Sequence, residues 1–249
     1  MSVLKKNPLV LIGENSDINI INALQHQNFE VILLPADDRL APQVSSHADM
    51  LIFTIDSTVF CNEDYYKKHT SIFNLIKNYG YEINHSEFEI SAEYPNDIAL
   101  NQAVIRKNIF GYEKKCAKSI LNYANSHKYS YTPIKQGYAK CSTIILGDKA
   151  IISADTGIIN LAKKLKVNVL QIKNAANEIK LDGYDYGFIG GASAVYKDNV
   201  FFFGDLMLHS QGKEITEFCS NNGFTTISLT NKPLCDIGGA IILPDISEK

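Results

Sequence analysis

The feature that most constrains this chain is that it repeats itself. The stretch Gly137-Tyr138-Ala139-Lys140-Cys141-Ser142-Thr143-Ile144-Ile145-Leu146, the polar Gly147-Asp148-Lys149 and the run ending at Asp155 align without a gap, fifty residues on, with residues 187–205. Each stretch reads as two short apolar strands joined by a tight polar turn, which is hairpin chemistry. A segment with helical spacing follows in both. One covers residues 157–166, with Ile158, Leu161, Ala162 and Leu165 inward; the other covers about 213–221, with Ile215, Phe218 and Cys219 inward. Each closes on a further strand, at 167–172 and 225–229. The unit is strand–strand–helix–strand.

The unit recurs three more times. Residues 96–105, a turn at Arg106-Lys107-Asn108 and Ile109-Phe110-Gly111 form another hairpin, followed by a helix over about 113–126. A further unit starts at 49–54 and has a helix around 65–78 carrying Ile72, Phe73 and Ile76. The last is split across the ends of the chain. Its first strand is 236–243, where Gly238-Gly239-Ala240 matches Gly190-Gly191-Ala192, and its second is 9–14, with Gly13-Glu14 at the place of Gly204-Asp205. A helix over 18–27, capped by Ser16 or Asp17, and a strand at 31–34 complete it. Units begin near residues 49, 96, 137, 187 and 236, a period of about 41 to 50. Such a period signals a radial or stacked architecture, and a helix in every unit excludes all-β blades. A unit shared between the two ends implies a closed ring. The expected fold is therefore α/β, a five-bladed α/β propeller closed by pairing of the C-terminal and N-terminal segments, with residues 1–249 as a single domain. The alternative is an α/β sandwich whose hairpins merely look alike.

Composition narrows the function classes. The chain has 249 residues, 45% hydrophobic and 20% charged, enough for a sizeable core. A net charge of −3 with scattered Lys and Arg offers no basic stripe for nucleic acid and no polybasic membrane patch. No apolar run approaches the roughly 20 residues that span a bilayer, and the first six residues lack a secretory apolar region. Five cysteines, an odd number without a CxxC pair, fit a reduced cytoplasmic protein. No dinucleotide, P-loop, zinc or EF-hand spacing is present, so neither cofactor nor metal is expected.

Five pseudo-symmetric strand–strand–helix–strand units resemble the pentein, or guanidino-group modifying enzyme, fold. The motifs that carry the resemblance are Tyr94-Pro95-Asn96-Asp97, residues 136–142, residues 187–193, Gly204 to His209, and Asp236-Ile237-Gly238-Gly239. The resemblance implies a thiol enzyme of the arginine deiminase, dimethylarginine dimethylaminohydrolase and amidinotransferase type. In that chemistry a thiolate attacks the guanidinium carbon, a His protonates the leaving amine, and carboxylates hold the cation. The sequence departs from it after Gly238-Gly239, where Ala240, Ile241, Ile242 and Leu243 supply neither His nor Cys.

The remaining candidates come from the unit starts and strand ends expected to face the axis. Cys141, beside Lys140, is the candidate nucleophile; its alternative is an inert buried thiol. His209, between a strand and a helix, is its candidate acid/base partner, or else a plain loop histidine. Asn96, Asp97, Lys140, Asp155, Ser193, Asp205 and Asp236 are candidate substrate contacts, with helix capping the competing role for Asp155 and Asp205. This mostly acidic set suits a cationic or amino-bearing small molecule. Two functions follow: a hydrolase or transferase acting on a guanidino or ureido compound through Cys141, or a catalytically inactive relative that binds a small ligand or partner.

Overall fold

The computed structural model describes residues 6–176 and 178–247. In chain order its elements are β1 (Leu9–Gly13), α1 (Ile18–His26), β2 (Glu30–Leu34), α2 (Ala48–Leu51), β3 (Ile52–Ile55), β4 (Thr58–Asn62), α3 (Glu63–Lys68), α4 (Thr70–Asn78) and β5 (Glu82–Ser86). There follow β6 (Ala103–Ile105), β7 (Asn108–Gly111), α5 (Lys118–Ser126), β8 (Ser130–Pro133), β9 (Thr143–Leu146), β10 (Ala150–Ser153), α6 (Thr156–Lys164) and β11 (Asn168–Gln171). The rest are β12 (Ile179–Lys180), β13 (Ser193–Tyr196), β14 (Asn199–Phe202), α7 (Gly212–Asn221), β15 (Thr225–Ser228), β16 (Leu234–Cys235) and β17 (Ile241–Leu243).

Five of the six sheets share one pattern. A first strand runs antiparallel to a second, and the second pairs parallel with a third that returns from a helix. The fifth of these joins the two ends of the chain, with β17 antiparallel to β1 and Leu243 opposite Leu9. Each unit keeps its own sheet, and the parallel pair β12–β16 forms a small sixth one. The central strands β1, β4 and β10 are buried at every residue, whereas third strands such as β5 and β8 have no buried residue. First strands of successive units pack together, β6 on β9, β9 on β13 and β13 on β17.

The helices form because each presents one apolar stripe to the sheets. Four of them bury an i,i+4 pair: Ile20/Leu24, Ile120/Ala124, Ile158/Ala162 and Ile215/Cys219. Asp17 caps α1 by accepting from Asn19 N, and Asp155 caps α6 by accepting from Ile158 N. In all five units the chain turns out of the helix through a left-handed residue: Asn28, Gly80, Lys128, Lys166 or Gly223.

Several expectations need correction. The expected helix over 65–78 is two helices, broken at His69 (φ −123°, ψ 37°). The expected helix over 113–126 is a 3₁₀ turn at Glu113–Lys115 followed by α5. The expected strand over 96–105 is irregular until β6, and 49–54 begins as α2. The gap-free alignment fails at one turn. Leu146 pairs with Ala150 across three residues, whereas Tyr196 pairs with Asn199 across two, so Ser153, not Ile152, matches Phe202. Asp155 is therefore equivalent to Gly204 and not to Asp205.

Candidate functional site

The hairpin register defines equivalent positions that the sequence alignment blurs. Eight residues before the last paired residue of each first strand (Ile55, Ile105, Leu146, Tyr196) stand His47, Asp97, Tyr138 and Phe188. The Gly-Gly match adds Asp236 from the fifth unit. These five residues form a chain of contacts in unit order. Tyr138 OH donates to Asp97 Oδ2 at 2.6 Å, and the Tyr138 and Phe188 rings lie 6.0 Å apart. Phe188 N donates to Asp236 Oδ2 at 2.8 Å, and Asp236 Oδ1 lies 3.9 Å from His47 Nδ1.

Glycines make room for this arrangement. A Cβ on Gly191 would strike Asp236 Oδ1, and one on Gly238, whose φ is +77°, would strike His47 Cβ. This close backbone approach at the two Gly-Gly pairs seats Asp236, whose Oδ1 also accepts from Gly238 N.

A second layer lies beneath. Cys141 Sγ donates to Asp49 Oδ2 at 2.8 Å. Asn101 Oδ1 accepts the backbone N–H groups of Lys140 and Cys141, which fixes the amide so that Nδ2 points at sulfur, 3.0 Å from Cys141 Sγ and 3.4 Å from Met50 Sδ. Asp49 is held by α2, whose Asp49 N donates to Gly238 O. All three side chains are buried, and Asp49 Oδ1 has no hydrogen-bond partner. Burial pushes the Asp49 carboxyl up to about 7, against the opposing charge of Lys140. Burial and the neighbouring Asp49 and Asp236 charges push the Cys141 thiol well above its ordinary value. Near neutrality the thiol keeps its proton.

Above this layer is a cavity of about 240 Å³. Cys141, His47 and Asp236 line it together with Tyr138 and Phe188, and the loop after β12 adds Tyr184, Asp185 and Tyr186. The β12–β16 pair ties that loop down, with Gly187 N on Ile179 O and Asp236 N on Lys180 O. Burial holds the His47 imidazole below its usual range, hence neutral, and raises the Asp97 carboxyl.

Of the sequence-derived candidates, the structure gathers Cys141, Asp97 and Asp236 at this cavity or against its wall. Lys140 does not line this cavity; with Asp49, Gln102 and Gly238 it lines a second cleft of about 180 Å³. His209 is not brought to Cys141. Its Nε2 lies 3.3 Å from Glu178, its Nδ1 accepts from Gln211 N, and it does not line the cavity. Asp155 caps α6 and Asp205 accepts from Met207 N, so capping is what both aspartates do. Ser193 Oγ is spent on Ile189 O, and Asn96 closes a turn on Glu93 O. Sequence reasoning missed His47 and Asp49, which precede a strand in a segment without strand periodicity. Counting back from the hairpin turns rather than from the Gly-Gly pairs would have found His47.

Among the described residues no group of three or more His, Cys, Asp or Glu is placed to hold a metal ion, and no helix is long and apolar enough to cross a membrane. The model of a family of unknown function, DUF6873, matches residues 11–241. No curated protein matches the chain. Solved structures do. Dimethylarginine dimethylaminohydrolase from Pseudomonas aeruginosa, complexed with citrulline, is 12% identical with a TM-score of 0.59, covering 97% of this chain and 100% of that one. The amidinotransferase SxtG from Microseira wollei is 10% identical with a TM-score of 0.59, covering 98% and 96%. The agmatine deiminase of C. jejuni with substrate bound is 7% identical with a TM-score of 0.57, covering 96% and 94%. At these identities the likeness is one of fold, and the fold is the pentein fold.

Proposed function

We propose that this chain, which belongs to the DUF6873 family, is a guanidino-modifying enzyme: a hydrolase or transferase that acts on a guanidino, ureido or amino-bearing small molecule through Cys141. The observation that carries the reading is the Cys141–Asp49 hydrogen bond of 2.8 Å beneath a cavity lined by Asp236 and aromatic rings. The fold neighbours are guanidino-group hydrolases, deiminases and amidinotransferases, which supports the same class.

The chemistry follows from the groups present. A guanidinium entering the cavity is held by Asp236, with the Tyr138 and Phe188 side chains lining the wall beside it. Its positive charge favours the thiolate, and Asp49 accepts the Cys141 proton as the sulfur bonds to the guanidinium carbon. Asp49 returns that proton to the nitrogen whose C–N bond breaks, and the amine leaves. Water, or an acceptor amine in a transferase, then attacks the carbon and releases sulfur, with its proton passing to Asp49 or His47. We assign the acid/base role to Asp49 and His47, because His209 is engaged with Glu178. Asp97 acts through Tyr138, whose hydroxyl it holds.

The same proposal takes the five sheets as one domain, closed as a five-bladed α/β propeller. The contact order Asp97, Tyr138, Phe188, Asp236, His47 supports it, because it visits the units in sequence, and the β1–β17 pairing joins the ends. The five unpaired cysteines support a reducing, cytoplasmic setting.

The alternative, an inactive ligand-binding relative, draws on the high thiol pKa and the lack of a Cys after Gly238-Gly239. Alkylation followed peptide by peptide separates the two. The cationic reagent 2-chloroacetamidine should label Cys141 at least ten-fold faster, relative to glutathione, than neutral iodoacetamide does, and Asp236→Asn should abolish that preference. Equal relative rates for the two reagents would leave only the binding protein.

A further inference from the structure

The cavity's charge balance says more about its ligand than that it is cationic. Among the described residues that line it, two are carboxylates, Asp185 and Asp236, and none is Lys or Arg. Lys140 and Lys180 line other clefts, and Lys180 is paired with Asp182 at 3.3 Å. The one basic side chain is His47, which is buried and faces Asp236. An amino acid bound by its guanidinium would carry its α-carboxylate toward the mouth. There it would meet Asp185 with no counter-charge, a costly arrangement in a partly desolvated site.

The rest of the lining is apolar or aromatic. Val44, Met50 and Leu181 stand with the rings of Tyr138, Tyr186 and Phe188, and the Tyr186 and Phe188 rings lie 5.9 Å apart, edge to face. Tyr184 and Tyr186 are 51% and 38% exposed, large rings left at the rim with part of their surface uncovered. This wall suits a hydrocarbon or aryl group and offers nothing to an anionic one.

Building on the guanidino reading above, we propose that the ligand is a carboxylate-free cation with an alkyl or aryl tail, such as an N-alkyl- or N-arylalkylguanidine, and not an amino acid. The cation lies inward between Cys141 and Asp236, and the tail lies outward along Tyr186 and Phe188.

Calorimetric titration of the full chain near pH 7.5 with butylguanidine, 2-phenylethylguanidine and L-arginine tests this. Both tailed guanidines should bind at least ten-fold more tightly than arginine. Tyr186→Ala should cost 2-phenylethylguanidine several-fold more affinity than butylguanidine. Asp185→Lys, an exchange at an exposed position, should narrow or reverse arginine's disadvantage. Arginine binding as tightly as the tailed compounds would overturn this inference and leave the guanidino reading standing. No binding by any of the three would overturn the guanidino reading and the inference with it.

Discussion

At the scale of single residues, Asp49 is the group that sets the site's pH behaviour. Its carboxyl is raised to about 7 by burial, whereas in the unfolded chain it titrates near its ordinary value of 3.8. Between those values the folded protein holds a proton that the unfolded chain has lost. Stability therefore falls as pH rises through this window, by at most about 1.4 kcal/mol per pH unit from this residue. Asp49→Asn removes the titration and keeps an oxygen for the Cys141 thiol. The stability of the variant minus that of the native chain should grow from pH 4.5 to 7 and then level off. Taking the difference cancels the opposite contribution of His47. Urea unfolding across that range is the measurement, and a flat difference would show that Asp49 is already ionised in the folded protein. Cys141 was legible as a nucleophile candidate because a thiol beside a lysine is chemically conspicuous. Its partner was not, since an aspartate ninety-two residues away in sequence reaches it only through the fold.

At the scale of elements, the units agree in geometry more than in sequence. Every unit leaves its helix through a left-handed residue, yet only Gly80 and Gly223 are glycines at those five places. Lys128 (φ 60°) and Lys166 (φ 55°) carry side chains where glycine is unstrained. Lys128→Gly and Lys166→Gly should each stabilise the protein by about 0.5–1 kcal/mol, the gain at the helix end exceeding glycine's extra freedom in the unfolded chain. Thermal unfolding reads this directly, and a loss of stability would mean that the lysine side chains make contacts worth more than the strain. The same irregularity limited the sequence reading. Hairpins were legible because two apolar runs flank a polar turn. The segments before the first strands, such as 96–102 and 137–142, look like strand in the sequence because they run straight into the apolar first strands. They are in fact turns packed against one another, their backbone groups bonded across units, as in Gly191 N to Cys141 O.

At the scale of the whole molecule, the question is whether five sheets stabilise one another as a ring. In a closed ring every unit has two neighbours, so loosening one junction removes support from both sides and the disturbance travels around. In an open stack it stays local. The β1–β17 junction is the place to cut, because it joins the two ends of the described chain, Val10 facing Ile242 and Leu9 facing Leu243, 232 and 234 residues apart in sequence. Leu243 is 2% exposed and packs in the cluster that holds Leu9, Leu11 and Leu34. Leu243→Asp buries an unpaired carboxylate there and should cost about 3–5 kcal/mol. Amide hydrogen exchange followed strand by strand decides between the two cases. In a closed ring, protection should fall in β7, β10 and β14 as well as in β1 and β4, because all lose the closure that holds their neighbours in place. Full protection of β10 alongside exposure of β1 would make the assembly an open one, and the cavity would then owe its shape to the local contacts of Asp236 and His47 alone.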